Sequence, residues 1–171
     1  MKRAILVVWF LAIAMIGGGA WWYLFSPGSV PEGQWPLGDA AAFRQAFAAG
    51  VGKNRLVVVL SPTTASDLGV AQQLQTLLME YENDTLEAHV VWYAAVKTDW
   101  APATDALARV WDRRARHYWD KEGTVRREIG EGRALLFARG AGLDSPALRT
   151  ADWQAGLGKM REFLGTPKKQ Q

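Results

Sequence analysis

From residue 55 onward the chain alternates short apolar runs with stretches that repeat at helical spacing. Arg55 to Leu60 (RLVVVL) is an almost unbroken run of β-branched and aliphatic side chains, the pattern of a strand covered on both faces. From Asp67 to Tyr81, apolar residues fall at Val70, Ala71, Leu74, Leu77, Leu78 and Tyr81, with Gln72, Gln73, Gln75 and Glu80 opposite, which predicts an amphipathic helix. A turn at Glu82-Asn83-Asp84 follows, and Leu86 to Ala94 alternates with Leu86, Ala88, Val90 and Trp92 on one side, a second strand. Upstream, Asp39 is placed to cap the helix AAAFRQAFAAG, whose Phe43 and Phe47 share a face and whose Gly50 ends it. Downstream the pattern predicts a helix over Thr104 to Asp112 with Leu107, Val110 and Trp111 inward. Short strands at Arg116–Trp119 and Ala134–Ala138 come next, then a last helix capped by Asp152 with Trp153, Leu157, Met160 and Leu164 in line.

The resulting order, αβαβαββα, implies an α/β domain over residues 39–165. Its sheet is mixed with helices on both faces, its early strands are parallel, and its last two strands form a terminal pair.

The first 38 residues follow a different pattern. Lys2 and Arg3 precede an uncharged stretch from Ala4 to Phe25, about 33 Å long as a helix and long enough to cross a bilayer core. Gly18 and Ala20 would suit a signal-peptidase site, the competing reading. Trp21, Trp22, Tyr23 and Phe25 continue the apolar run as an interfacial aromatic belt, which favours an uncleaved anchor over residues 1–25. The basic pair keeps the short end in the cytoplasm, so the domain is expected in the periplasm or an equivalent extracytoplasmic space, attached to the inner membrane. Residues 26–38, with Pro27, Pro31 and Pro36 among Gly28, Gly33 and Gly38, read as a semi-extended linker, and residues 166–171 as a tail.

Composition removes several chemistries. The chain contains no Cys, so disulfide scaffolds, thiolate metal sites and cysteine nucleophiles are excluded. The chain has 20 basic and 17 acidic residues; without Lys2 and Arg3 the basic count falls to 18 and the charges nearly balance, which speaks against a nucleic-acid partner. Between Arg109 and Arg139 basic residues are in excess, but acidic residues interrupt them and the run reads as a solvated surface. Ser61, Ser66, His89, His117, Asp67, Asp99 and Asp120 are the residue types of a hydrolase, yet no Gly-x-Ser-x-Gly elbow, His/carboxylate metal spacing or phosphate loop accompanies them. No cofactor or metal is expected, and both histidines read as structural. Of the nine Trp, three fall in the anchor, Trp92, Trp111 and Trp153 on core stripes, and Trp35, Trp100 and Trp119 in or near loops.

The segment Leu60-Ser61-Pro62-Thr63, the element Val90-Val91-Trp92 and the stretch His117-Tyr118-Trp119-Asp120 together resemble membrane-anchored thioredoxin-like proteins, over roughly Arg55 to Leu164. The resemblance implies a thioredoxin-like three-layer fold. In that family two cysteines open the helix after the first of these segments; here Thr64 and Asp67 stand in their places, with Ala65 and Ser66 between. The family's cis-proline, just before the strand facing the redox motif, has Gly132 or Arg133 in its place. Neither a hydroxyl nor a carboxylate can carry out thiol exchange.

The resemblance therefore implies a degenerate, non-catalytic module that binds another membrane or periplasmic protein. Thr64, Ser66, Asp67, Trp100 and Trp119 are expected to lie nearest the contact. Thr64 or Ser66 would cap the helix and Asp67 would favour its dipole, and Trp100 and Trp119 would rim a groove. The alternative is an accessory protein or unrecognised enzyme acting through a partner's cysteines.

Overall fold

The computed structural model describes residues 37–81, 85–93, 104–130 and 132–165. The anchor, nearly all of the linker, Trp35, the Glu82-Asn83-Asp84 turn, Asp99, Trp100 and the tail lie outside the described residues. No helix among the described residues is long and apolar enough to cross a membrane.

The elements run α1 (Ala40–Ala49), β1 (Asn54–Leu60), α2 (Ala65–Glu80), β2 (Leu86–Tyr93), α3 (Thr104–Leu107) and β3 (Ala115–Asp120). After these come α4 (Thr124–Ile129), β4 (Ala134–Phe137), β5 (Leu148–Thr150) and α5 (Trp153–Leu164). The fold is mixed α/β, built on a five-stranded sheet of order β3-β2-β1-β4-β5. β1, β2 and β3 are parallel, β4 runs antiparallel to β1, and β5 antiparallel to β4. Val58 is central, opposite Val90 on one side and Ala134 on the other.

Alternation along these strands divides the core. Leu56, Val58, Leu60, Val90 and Trp92 pack under the apolar stripe of α2 and under Trp153 and Met160 of α5. Val57, Val59, Val91 and Tyr118 pack against Phe43 and Phe47 of α1 and against Val125 and Ile129 of α4. Because β1 is covered on both sides, Leu56 to Leu60 are all buried, as the unbroken apolar run predicts.

The helix ends follow the sequence closely. Asp39 Oδ1 accepts the Ala42 N–H at 2.9 Å, Gly50 closes α1, and Asp152 Oδ1 accepts the N–H groups of Gln154 and Ala155. The linker boundary shifts, however. Gly38 donates its N–H to the His117 carbonyl and accepts from the Trp119 N–H, so the chain joins the outer edge of β3 before α1 begins. A Cβ at Gly38 would sit 2.8 Å from Tyr118 Cδ1 and 2.9 Å from Ala42 Cβ. Gly38→Ala is therefore expected to cost about 1–3 kcal/mol through overpacking, read as a lowered denaturation midpoint; an unchanged midpoint would show that this edge is loosely held.

Further expectations are corrected. Strands β3 and β4 are not a pair: β3 continues the parallel set at one edge, and the terminal antiparallel pair is β4 with β5. Helix α3 stops at Leu107, and Trp111 is 56% exposed. Both follow from Gln75, which is buried on α2 although the helical pattern put it on the polar side. Its Oε1 accepts the backbone N–H of Trp111 at 2.9 Å and of Asp112 at 3.0 Å, holding that segment as a turn. Helix α4 and strand β5 are too short for a sequence period and have no counterpart in the predicted order.

Candidate functional site

The β1–α2 junction is built around Asp67. Thr64 takes an extended conformation at the N-cap, but its side chain makes no capping bond; its carbonyl accepts the N–H groups of Asp67 and Leu68. Asp67 turns inward instead. At 2% exposure, its Oδ2 accepts the Ser61 N–H at 2.8 Å and its Oδ1 lies 2.9 Å from the Arg133 guanidinium. Arg133 is anchored through its backbone, its N–H donating to the Thr150 carbonyl and its carbonyl accepting from Val59. One carboxylate thus ties the end of β1, the start of α2 and the approach to β4.

Beside this pair lies a cleft of about 690 Å³, at the carboxyl ends of β1 and β2. Ligand sites in α/β sheets commonly occupy this position, and the volume is that of a small-molecule or short-peptide pocket. Among its lining residues are Val59, Asp67, Tyr93, Arg126, Arg127 and Arg133, together with backbone at Gly123, Gly130 and Gly132. Gly123 and Gly130 have φ of 65° and 74°, a left-handed backbone that bends the chain around α4. Asp120, buried at the end of β3, accepts the Arg126 N–H at 2.8 Å and fixes the first turn of α4. The Arg126 guanidinium lies 4.5 Å from the centre of the Tyr93 ring, and Arg127 donates to the Glu122 carbonyl at 2.8 Å.

The residues expected at a contact surface do not gather there. Asp67 lines the cleft, whereas Thr64 and Ser66 are exposed at the start of α2 and are not among its lining residues. Trp119 is half-buried against the α2-side core, on the sheet face opposite Val59 and Tyr93, so it does not rim this cleft. Trp100 lies outside the described residues. The arginine run taken as solvated surface is corrected in part. Arg126 and Arg127 are exposed, as that reading has it, although they line the cleft; Arg133 is half-buried beside them, and Arg114 is half-buried, with ion-pair contact to Asp112 at 2.7 Å and hydrogen bonds to the Tyr81 and Leu78 carbonyls. The sequence signal for the cleft was the pairing of these arginines with Gly123, Gly130 and Gly132.

Among the described residues, the hydrolase residue types do not form a catalytic cluster; Asp99 lies outside them and Ser66 is exposed at the start of α2. His89 and His117 sit on opposite faces of the sheet. His89 Nδ1 bonds the Tyr118 hydroxyl at 3.1 Å, and burial, with the charges of Arg116 and Arg55 adding, pushes its pKa down to about 3. His117 Nε2 donates to the Val110 carbonyl, so its Nδ1 must accept from Trp92 Nε1 at 3.0 Å; burial pushes its pKa down to about 4 although the Val110 bond opposes this. Ser61 Oγ is within hydrogen-bond distance of Thr63 Oγ1. Among the described residues no group of three His, Cys, Asp or Glu is placed to hold a metal ion. No protein-family model matches the chain, and no curated protein matches it.

Proposed function

We propose that the chain is a non-catalytic, thioredoxin-like binding module, tethered to the inner membrane by residues 1–25, that docks on another envelope protein through the cleft at the ends of β1 and β2. The observation that carries this reading is the Asp67–Arg133 pair. By the resemblance to thioredoxin-like proteins, these positions correspond to the second cysteine and to the neighbourhood of the cis-proline before the strand that faces the redox motif. Here they are joined by an ion pair with a buried carboxylate and a half-buried guanidinium, a brace between β1, α2 and β4 where that family has its reactive centre. With no Cys in the chain, that brace leaves the adjacent cleft for binding.

Supporting the frame are the βαβ unit β1-α2-β2, the antiparallel β4 beside β1 with β5 on its outer side, and a terminal helix on the α2 side. The experiment is an insulin-reduction assay on full-length protein in mild detergent, with the membrane pellet tested for resistance to alkaline extraction. The expected results are reduction at the uncatalysed rate and retention in the pellet. Turnover above background would overturn the binding-only reading, and alkaline release would overturn the anchor.

A further inference from the structure

Among the described residues, the cleft is lined by more positive than negative charge. Its described lining holds three guanidiniums, those of Arg126, Arg127 and Arg133, and one carboxylate, Asp67. Asp67 is already committed to Arg133 and to the Ser61 N–H. Among the described residues no carboxylate pairs with Arg126 or Arg127. Both are nonetheless held in place: Arg126 lies over Tyr93, and Arg127 bonds the Glu122 carbonyl. Arg127 also reaches the Thr124 hydroxyl at 3.5 Å, but a guanidinium has five N–H donors, and those left over can meet carboxylate oxygens.

Two details bear on the size of the partner group. A volume of about 690 Å³ is far larger than a single inorganic anion needs, so an occupant that fills the cleft carries more than one acidic group or a body between them. Val59 and Tyr93 also line the cleft, with the Arg126 guanidinium lying over the Tyr93 ring, and Gly123, Gly130 and Gly132 bring backbone to the lining. An extended chain would set its carboxylates on the arginines and its backbone along the glycine-lined side.

Building on the proposed docking role, we infer that the cleft recognises an acidic extended segment of the partner protein, its Asp or Glu side chains engaging Arg126 and Arg127 beside the Asp67–Arg133 brace. Because the recognition is by charge in an open site, it weakens as salt is raised. Arg133, occupied by Asp67, acts mainly to position the β4 wall.

The test is fluorescence anisotropy of a labelled oligoglutamate peptide against the full chain in detergent micelles, with oligoglutamine as the uncharged probe and inorganic phosphate as competitor. Oligoglutamate is expected to bind and oligoglutamine not to, with affinity falling roughly tenfold as salt rises to about 0.5 M. The Arg126→Glu/Arg127→Glu double variant is expected to weaken oligoglutamate at least about tenfold. A control of equal charge change on exposed residues away from the cleft, Arg139→Glu/Lys159→Glu, is expected to leave affinity within about twofold. Equal binding of the two peptides, or equal loss in both double variants, would overturn the inference. So would arginine-dependent binding of phosphate alone, which would mark a small-anion site. A partner that still co-purifies with the Arg126→Glu/Arg127→Glu variant would refute the acidic segment while leaving the docking role standing. Catalysed insulin reduction would refute the docking role itself.

Discussion

Lowering the pH from 6.5 to about 4.5 is expected to remove roughly 5 kcal/mol of stability, most of it through two buried histidines. His89 and His117 have folded-state pKa values pushed down to about 3 and about 4 from an ordinary 6.5. The unfolded chain therefore takes up protons first as pH falls. Stability is fully present above pH 6.5 and drains through the window down to about 4 for His117 and about 3 for His89. Each histidine contributes about 1.4 kcal/mol per pH unit within its window.

The structural reason is direct. A proton on His117 Nδ1 would point at the Trp92 N–H, and a charged His89 would lie between Phe43 and Phe47 with Arg55 and Arg116 nearby. Urea midpoints measured across this range should fall steeply, and His89→Gln or His117→Gln should each remove about half of the slope. A flat profile in the native protein would show that the two rings are open to water.

Arg133→Met is expected to destabilise the domain by roughly 3 kcal/mol, or about 10 °C in thermal midpoint for a domain of this size. Asp67→Asn should cost nearer 1 kcal/mol. The asymmetry comes from burial: the Asp67 side chain is 3% exposed and the Arg133 side chain 34%. Removing Arg133 strands a carboxylate in the interior, where its desolvation is no longer offset. Removing the charge from Asp67 leaves an arginine that reaches water and an Asn oxygen that still accepts the Ser61 N–H. The double variant Asp67→Asn/Arg133→Met should recover part of the loss of Arg133→Met, because no buried charge remains. Equal costs for the two single variants, measured by denaturant unfolding, would show that the pair does not brace the junction between β1, α2 and β4.

The helical stripe from Val70 to Tyr81, the unbroken run of β1 and the caps at Asp39 and Asp152 were legible in the sequence. Each depends on neighbours within a few residues, where helical or strand periodicity and capping chemistry act directly. The absence of cysteine was legible too, and it alone rules out intrinsic thiol exchange.

What needed the tertiary structure was every pairing across the chain. Gln75 reads as a surface residue of its helix until the segment at Trp111 and Asp112 arrives to use its oxygen. Asp67 reads as a favourable charge at a helix start until Arg133, on the approach to β4, comes within 2.9 Å and draws it inward. Arg126 and Arg127 read as solvated along the sequence and are exposed; what the packing of α4 beside the ends of β1 and β2 adds is that they line one cleft. Local periodicity specifies which face of an element is buried. It does not specify which distant polar group will meet the exceptions, because that contact is fixed by strand order and by the lowest-energy partner for a desolvated charge.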